Sequence, residues 1–543
     1  MQLRTLIVIT LLSFPSLSVR AQSPGVPHLE KYGTATQLVV DGKPFLILGA
    51  ELLNSSSSSL EYMAPVWPKL AATPLNTVLT PLSWELIEPR EGKFDFTLVD
   101  GLIQGARQNH LHIVFLWLAS WKNGMSSYAP LWVKQDTRRF PRVMAKDGTP
   151  LEILSPQGKE SMEADARAFA AVMRHIREVD RSAHTVLMMQ VENEVGVLGD
   201  SRDRTPFANK AFDGLVPKDL TTYLAQHRET LIPELRKVWE AAGGKSSGTW
   251  RDVFGNGVET DEIFMAWNYG RYIQNVGAAG KSEYPIPMYV NAWLGGWTDP
   301  HPHPFPSGGP LPEVMDIWRA AGSAIDIYAP DNYVSPFDEW CDKFHRVGNP
   351  LFVPETLGGA TGQANVFYAI GHYESIGFSP FGIDSFVEME RQGLLDSSNE
   401  LGKSYEVLAQ LAPIILQHEG RGEMAGFLLD KEHPQITVEL NGYQLELTLD
   451  QIFETQAKTG FGLLMATGPD EFLGAGSGFR VAFSRKNSNG ERIGIGSIDE
   501  GTFAGGKWRP GRRLNGDEND QGRAWRFVSK RIGIEKAVVY KYQ

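Results

Sequence analysis

The chain has 543 residues, with 52 Lys and Arg against 64 Asp and Glu, so its formal net charge is −12. An acidic surface of that size repels nucleic acid and anionic membranes, which leaves a neutral or weakly charged ligand as the expectation. With 42% hydrophobic and 21% charged residues the chain can bury a large core, and its length suits two folded units.

In chain order, Arg4, an apolar run over 6–12 and the small-residue segment Ser18-Val19-Arg20-Ala21 read as a cleavable secretory signal over residues 1–21. The run is too short to span a bilayer and no cysteine follows the cleavage site. The expectation is an exported protein, periplasmic or secreted, without membrane insertion. The only cysteine, Cys341, excludes an intrachain disulfide and reads as a packing residue beside Trp340.

A hairpin over 38–49 leads into a first buried strand, and strand and helix signals then alternate. Strands are expected at 76–79, 112–117, 186–191, 288–291, 324–328, 351–353 and 379–384. Helices are expected at 62–72, 97–109, 160–180, 219–242, 312–321, 337–347 and 362–376. Eight strands in that rhythm predict an α/β fold, a closed (β/α)8 TIM barrel over 30–400. An open doubly wound sheet is the alternative, but no Gly-rich nucleotide loop follows the first strand. After a helix at 403–417, period-two stretches such as Ile436–Leu440 and Gln444–Leu449, with turns at Asn441-Gly442 and Asn489-Gly490, predict a smaller antiparallel β-sandwich-like domain over 401–543.

Two strand ends carry acids. Gln190-Val191-Glu192-Asn193-Glu194-Val195-Gly196 follows the apolar run 186–189, and Glu355 follows 351–354. In a parallel barrel both acids meet at the C-terminal mouth. A carboxylic acid facing a carboxylate across a sugar is the equipment of glycoside hydrolysis. Alternation along an extended chain puts Glu192 and Glu194 on one side, so periodicity does not choose between them. An amide at Asn193 suits a sugar hydroxyl.

The stretch 190–196 resembles the Gln-x-Glu-Asn-Glu-Tyr-Gly motif of glycoside hydrolase family 35, the retaining β-galactosidases of clan A. The segment Trp84-Glu85-Leu86-Ile87-Glu88-Pro89 is similar to that family's Trp-Asn-x-His-Glu-Pro. The resemblance implies Glu194 as acid/base, Asn193 on the sugar 2-hydroxyl, Glu355 as nucleophile, and Tyr333 after strand six as the tyrosine that holds the nucleophile ionised. Two departures stand out: Glu85 replaces the usual Asn, and Leu118-Ala119-Ser120-Trp121-Lys122-Asn123 replaces an Asn-Ala-Glu segment. The pattern is similar to a divergent bacterial branch linked to removing galactose from xyloglucan side chains.

Further substrate-binding candidates at strand ends are Glu51, Asn123 and Asn291, with Trp84, Trp117, Trp121 and Trp293 as sugar-stacking rings; Trp297 lies nearby. Glu51 could equally pair with a barrel-mouth cation, whereas Glu88 and Glu91 read as a solvated turn. Glu388 and Glu390 are ambiguous. His301 and His303, alternating with prolines, read as a rigid loop rather than a metal site.

The expectation is an exported, retaining exo-β-galactosidase acting on plant-type β-galactoside oligosaccharides, without a cofactor. The rivals are another clan A β-glycosidase (β-glucosidase, β-mannosidase or endo-glycanase) and an inactive carbohydrate-binding barrel. The C-terminal domain suits polysaccharide binding, shielding of the barrel, or pairing into a homodimer.

Overall fold

Eight runs that are apolar through almost their whole length can be buried only if both faces of their sheet are covered, and a closed barrel ringed by helices provides that. The computed structural model describes residues 25–297, 299–300, 302–385, 397–450, 457–486, 491–529 and 531–543. The expected signal segment, His301, Glu388, Glu390 and the expected turn at Asn489-Gly490 lie outside the described residues.

The barrel strands are Ile47–Glu51, Thr77–Ser83, His112–Lys122, Val186–Asn193, Met288–Trp293, Ile327–Asn332, Val353–Thr356 and Gly377–Pro380, here strands one to eight. They pair in parallel in chain order, and the eighth returns to the first, with Gly377 beside Ile47. Ile47, Leu79, Val114, Leu116, Leu187, Tyr289, Ile327 and Phe352 fill the interior, each side chain contributing roughly 1.5–3 kcal/mol of burial. Leu38 and Val40, from a three-stranded antiparallel sheet over residues 28–45, join this core at the barrel's N-terminal end.

Two of the expected helices are divided: Pro65 lies between Leu60–Met63 and Trp67–Ala71 in the first, and Pro233 opens the second part of the fourth, Lys218–Gln226 and Pro233–Ala241. The longest, Val258–Glu283, escaped the sequence reading. It is buried on most of its circumference, so apolar residues give it no stripe. Strand six runs three residues later than expected, because Pro330, Asp331 and Asn332 are buried in the ladder although their types suggest a loop.

Beyond the barrel, helix Ser397–His418 leads into two antiparallel sheets, one of six strands and one of four. Phe427, Leu445, Leu447, Phe479, Trp525 and Phe527 form the core between them. The outer face of the six-stranded sheet rests on barrel helix Gly359–Tyr373, where Phe367 meets Phe461 at 5.5 Å between ring centroids. A methyl on Gly371 would lie 2.7 Å from the Cα of Gly426, so glycine is what lets the two backbones touch. Among the described residues no helix is long and apolar enough to cross a membrane.

Candidate active site

Strand four ends in an unusual backbone. Glu192 and Glu194 both take left-handed φ values, 62° and 43°, which cost non-glycine residues on the order of 1–3 kcal/mol each. The extended alternation breaks here, and the two carboxylates separate, contrary to the expectation that they share a side. Glu192 turns against strand three and accepts the backbone N–H groups of Ala119, Ser120 and Trp121, the last at 2.7 Å. It also contacts Asp165, and burial raises both carboxyls. Glu192 is therefore a structural acid.

Glu194 faces the barrel mouth. Its N–H donates to Asn291 Oδ1 at 3.0 Å, its carbonyl accepts from Gly124, and its Oε2 accepts from the Asn123 amide. Burial first, and the Glu355 charge second, push its carboxyl up to about 7. Asp331, on strand six, is in hydrogen-bonding contact with Glu194 and accepts from Asn291 Nδ2 at 2.6 Å. Burial and the neighbouring acids hold Asp331 well above the usual carboxylate range.

Glu355 ends strand seven beside Asp331 in register. Tyr333 Oη donates to its Oε1 at 2.6 Å, while Oε2 is buried with no hydrogen-bond partner among the described residues. Burial raises Glu355, but Lys122 and the Tyr333 hydroxyl both pull it back down. Of the acids at the mouth Glu355 alone accepts from a tyrosine hydroxyl as well as feeling the Lys122 cation, and both favour its anion. Glu51, at the end of strand one, is 1% exposed and raised well above normal by burial, Glu355 and Glu194, with Lys122 opposing. Of its two readings, the sugar hydroxyl and the cation, the structure supplies a cation in Lys122 and leaves Oε1 open.

Asn193 is buried beside the acids with both amide atoms unpartnered, and Gln190 is likewise unpartnered. Buried polar groups are normally satisfied, so these two amides stand out beside the acids. Asn291, by contrast, engages both ends of its amide with the protein, bridging strands four and six. Trp293 and Tyr333 are each 39% exposed at the mouth and can offer a ring face.

Three expected stacking rings are corrected. Trp84, Trp117 and Trp121 are fully buried, and their indole N–H groups donate to Glu88, Asp165 and the Leu154 carbonyl. They build the wall and present no face to a sugar. Glu85 lies off the acid cluster, 3.6 Å from Lys134. Glu88 is also corrected: it is buried, accepting from Trp84 Nε1 and Gly92 N, while Glu91 pairs with Arg139 at the surface. Trp297 packs half-buried against the core, and His303 stacks on Phe305 at 4.2 Å. Cys341 is buried, as its reading required.

Lys122 and Asp331 were missed. Lys122 stood in the segment Leu118–Asn123 and Asp331 two residues before Tyr333, and the available signal was position alone: both are charged residues at the C-terminal ends of buried barrel strands.

Residues 69–253 match the family model described as beta-galactosidase, that of glycoside hydrolase family 42, and residues 401–526 match a domain of unknown function, DUF5597. A beta-galactosidase of Xanthomonas manihotis is 27% identical over 200 residues, 34% of this chain and 30% of that protein. Human beta-galactosidase-1-like protein 3 is 26% identical over 224 residues, 39% of this chain and 30% of its own length. The chain thus spans about a third of each curated relative it matches. A solved beta-galactosidase of Bacillus circulans sp. alkalophilus superposes with a TM-score of 0.46 at 15% identity, covering 69% of this chain and 57% of that one.

Proposed function

We propose that this protein is a retaining exo-β-galactosidase of the family 35 type, removing terminal galactose from plant-type oligosaccharides such as xyloglucan side chains. One observation carries the reading. Two buried carboxyls from strands four and seven share the barrel mouth, Glu194 near 7 and so a reservoir of protons, Glu355 held toward its anion by Tyr333 and Lys122. The beta-galactosidase model matching 69–253 supports the sugar.

In the first step Glu355 attacks the anomeric carbon while Glu194 gives its proton to the departing oxygen, leaving a glycosyl ester on Glu355. In the second, water attacks that carbon, its proton passes to Glu194, and the Glu355 bond breaks. The unpartnered amide of Asn193 is placed for a sugar hydroxyl, and Tyr333 and Trp293 flank the entrance.

The test is release of free monosaccharide from a galactose-bearing xyloglucan oligosaccharide, with aryl β-galactoside and β-glucoside in parallel. Galactose release supports the reading; glucose, mannose or internal cleavage moves it to another clan A glycosidase. Glu355→Gln is expected to abolish turnover. Glu194→Ala is expected to spare the first step for aryl leaving groups and to slow the second, and the reverse pattern would exchange the two roles.

A further inference from the structure

Glu194 must carry a proton in the first step and lack it in the second. Among the described residues, the groups that face it are Asn123 and Lys122 from strand three, Asp331 from strand six, and Glu355 from strand seven. Glu51 on strand one, Tyr289 on strand five and Tyr333 complete the cluster through their interactions with Glu355 and Asp331. Glu192, beneath, is turned away into strand three.

Lys122 is the one cation among these groups. It is 8% exposed, its backbone is pinned by reciprocal hydrogen bonds with Met125 at 2.8 and 3.0 Å, and it lies in register with Asn193. Its charge acts on Glu51, Glu194 and Glu355. No carboxylate among the described residues lies within the 4.0 Å of a direct ion pair with it. A buried ammonium without a contact counterion is expensive to keep. Its arrangement makes sense if the charge is shared across the cluster and the sharing changes during turnover.

In the free enzyme the Lys122 cation is balanced by the Glu355 anion. Once Glu355 is esterified to the sugar that anion is gone, and the cation remains. We propose that Lys122 is a positioning charge that holds Glu194 ionised in the glycosyl-enzyme, so that Glu194 accepts the proton of the attacking water. The inference rests on the acid and nucleophile reading above. No further reactant enters: the proton leaves Glu194 for the aglycone in the first step and returns from water in the second.

The experiment compares wild type, Lys122→Met, Lys122→Gln and Lys122→Arg on an aryl β-galactoside with a good leaving group, by stopped flow and across pH, with circular dichroism as the check on folding. For Met and Gln the expected result is a kcat lower by about tenfold to a hundredfold, the scale of one charge acting through a protein interior. The fall in kcat/KM is expected to be several-fold smaller, and the aryl burst larger. The acid limb of kcat, which reports ionisation of Glu194 in the intermediate, should move to higher pH. Arg should restore kcat and the limb at least in part. Equal losses in kcat and kcat/KM with an unmoved limb, or an unchanged kcat, would overturn the proposal. In parallel, wild type and the variants are labelled with a 2-deoxy-2-fluoro aryl β-galactoside and the modified peptide is mapped. A label on Glu355 with unaltered variant kinetics sinks the role of Lys122 alone. A label elsewhere, or none, sinks the nucleophile assignment and this inference with it.

Discussion

Tyr333 and Glu192 show how differently two side chains can serve one carboxylate site. The Tyr333 hydroxyl donates to Glu355 at 2.6 Å, a hydrogen bond to a charged acceptor and so of about 1.5–3 kcal/mol. Tyr333→Phe is therefore expected to lower kcat/KM by about tenfold to a hundredfold and to shift its acid limb upward in pH, since Glu355 then ionises less readily. Glu192 satisfies three backbone donors of strand three. Its replacement by Ala orphans them at roughly 1–3 kcal/mol each, so a melting temperature lower by several degrees is expected, whereas Glu355→Gln should not destabilise. The motif at 190–196 pointed to both acids, but it could not separate their tasks. Their separation depends on left-handed backbone at 192 and 194, which no periodicity rule for extended chain contains.

At the scale of elements, strand four and its following loop are held by a second loop. Val197 and Ser307 exchange backbone hydrogen bonds at 2.9 Å, and Gly196, at φ 144°, sits where a Cβ would come within 2.5 Å of the Pro306 backbone. Gly196→Ala is expected to push these loops apart and shift Glu194. A displacement of that kind lowers kcat/KM by about tenfold to a hundredfold, which initial rates on an aryl galactoside would detect. Barrel strands were legible because burial on both faces writes continuous apolar runs. The Val258–Glu283 helix was not, because burial all round erases its stripe, and the tryptophans were misplaced because a ring near a strand end can point outward into the helix layer as readily as into the mouth.

Across the whole molecule, buried carboxyls set the pH response. Glu194 and Glu262 are pushed up to about 7, and Glu419 and Glu535 to about 8, in each case chiefly by burial. An acid whose folded value exceeds its unfolded one keeps its proton longer in the folded state, so stability is full below about 4.5 and is lost as pH rises through the folded value. For Glu194 the rise from 4.5 to about 7 corresponds to on the order of 3 kcal/mol. The melting temperature is expected to be higher near pH 5 than near pH 8.5, and Glu262→Gln should flatten the slope; a profile rising with pH would contradict this. One junction also bears on how the chain is made. The hydroxyl of Tyr405, on helix Ser397–His418, lies 2.7 Å from the Gly49 carbonyl and 2.8 Å from that of Phe378, straddling the seam between the first and eighth strands. A ribosome must therefore release more than 400 residues before the tyrosine that clasps that seam exists, later than the last strand of the barrel it closes over.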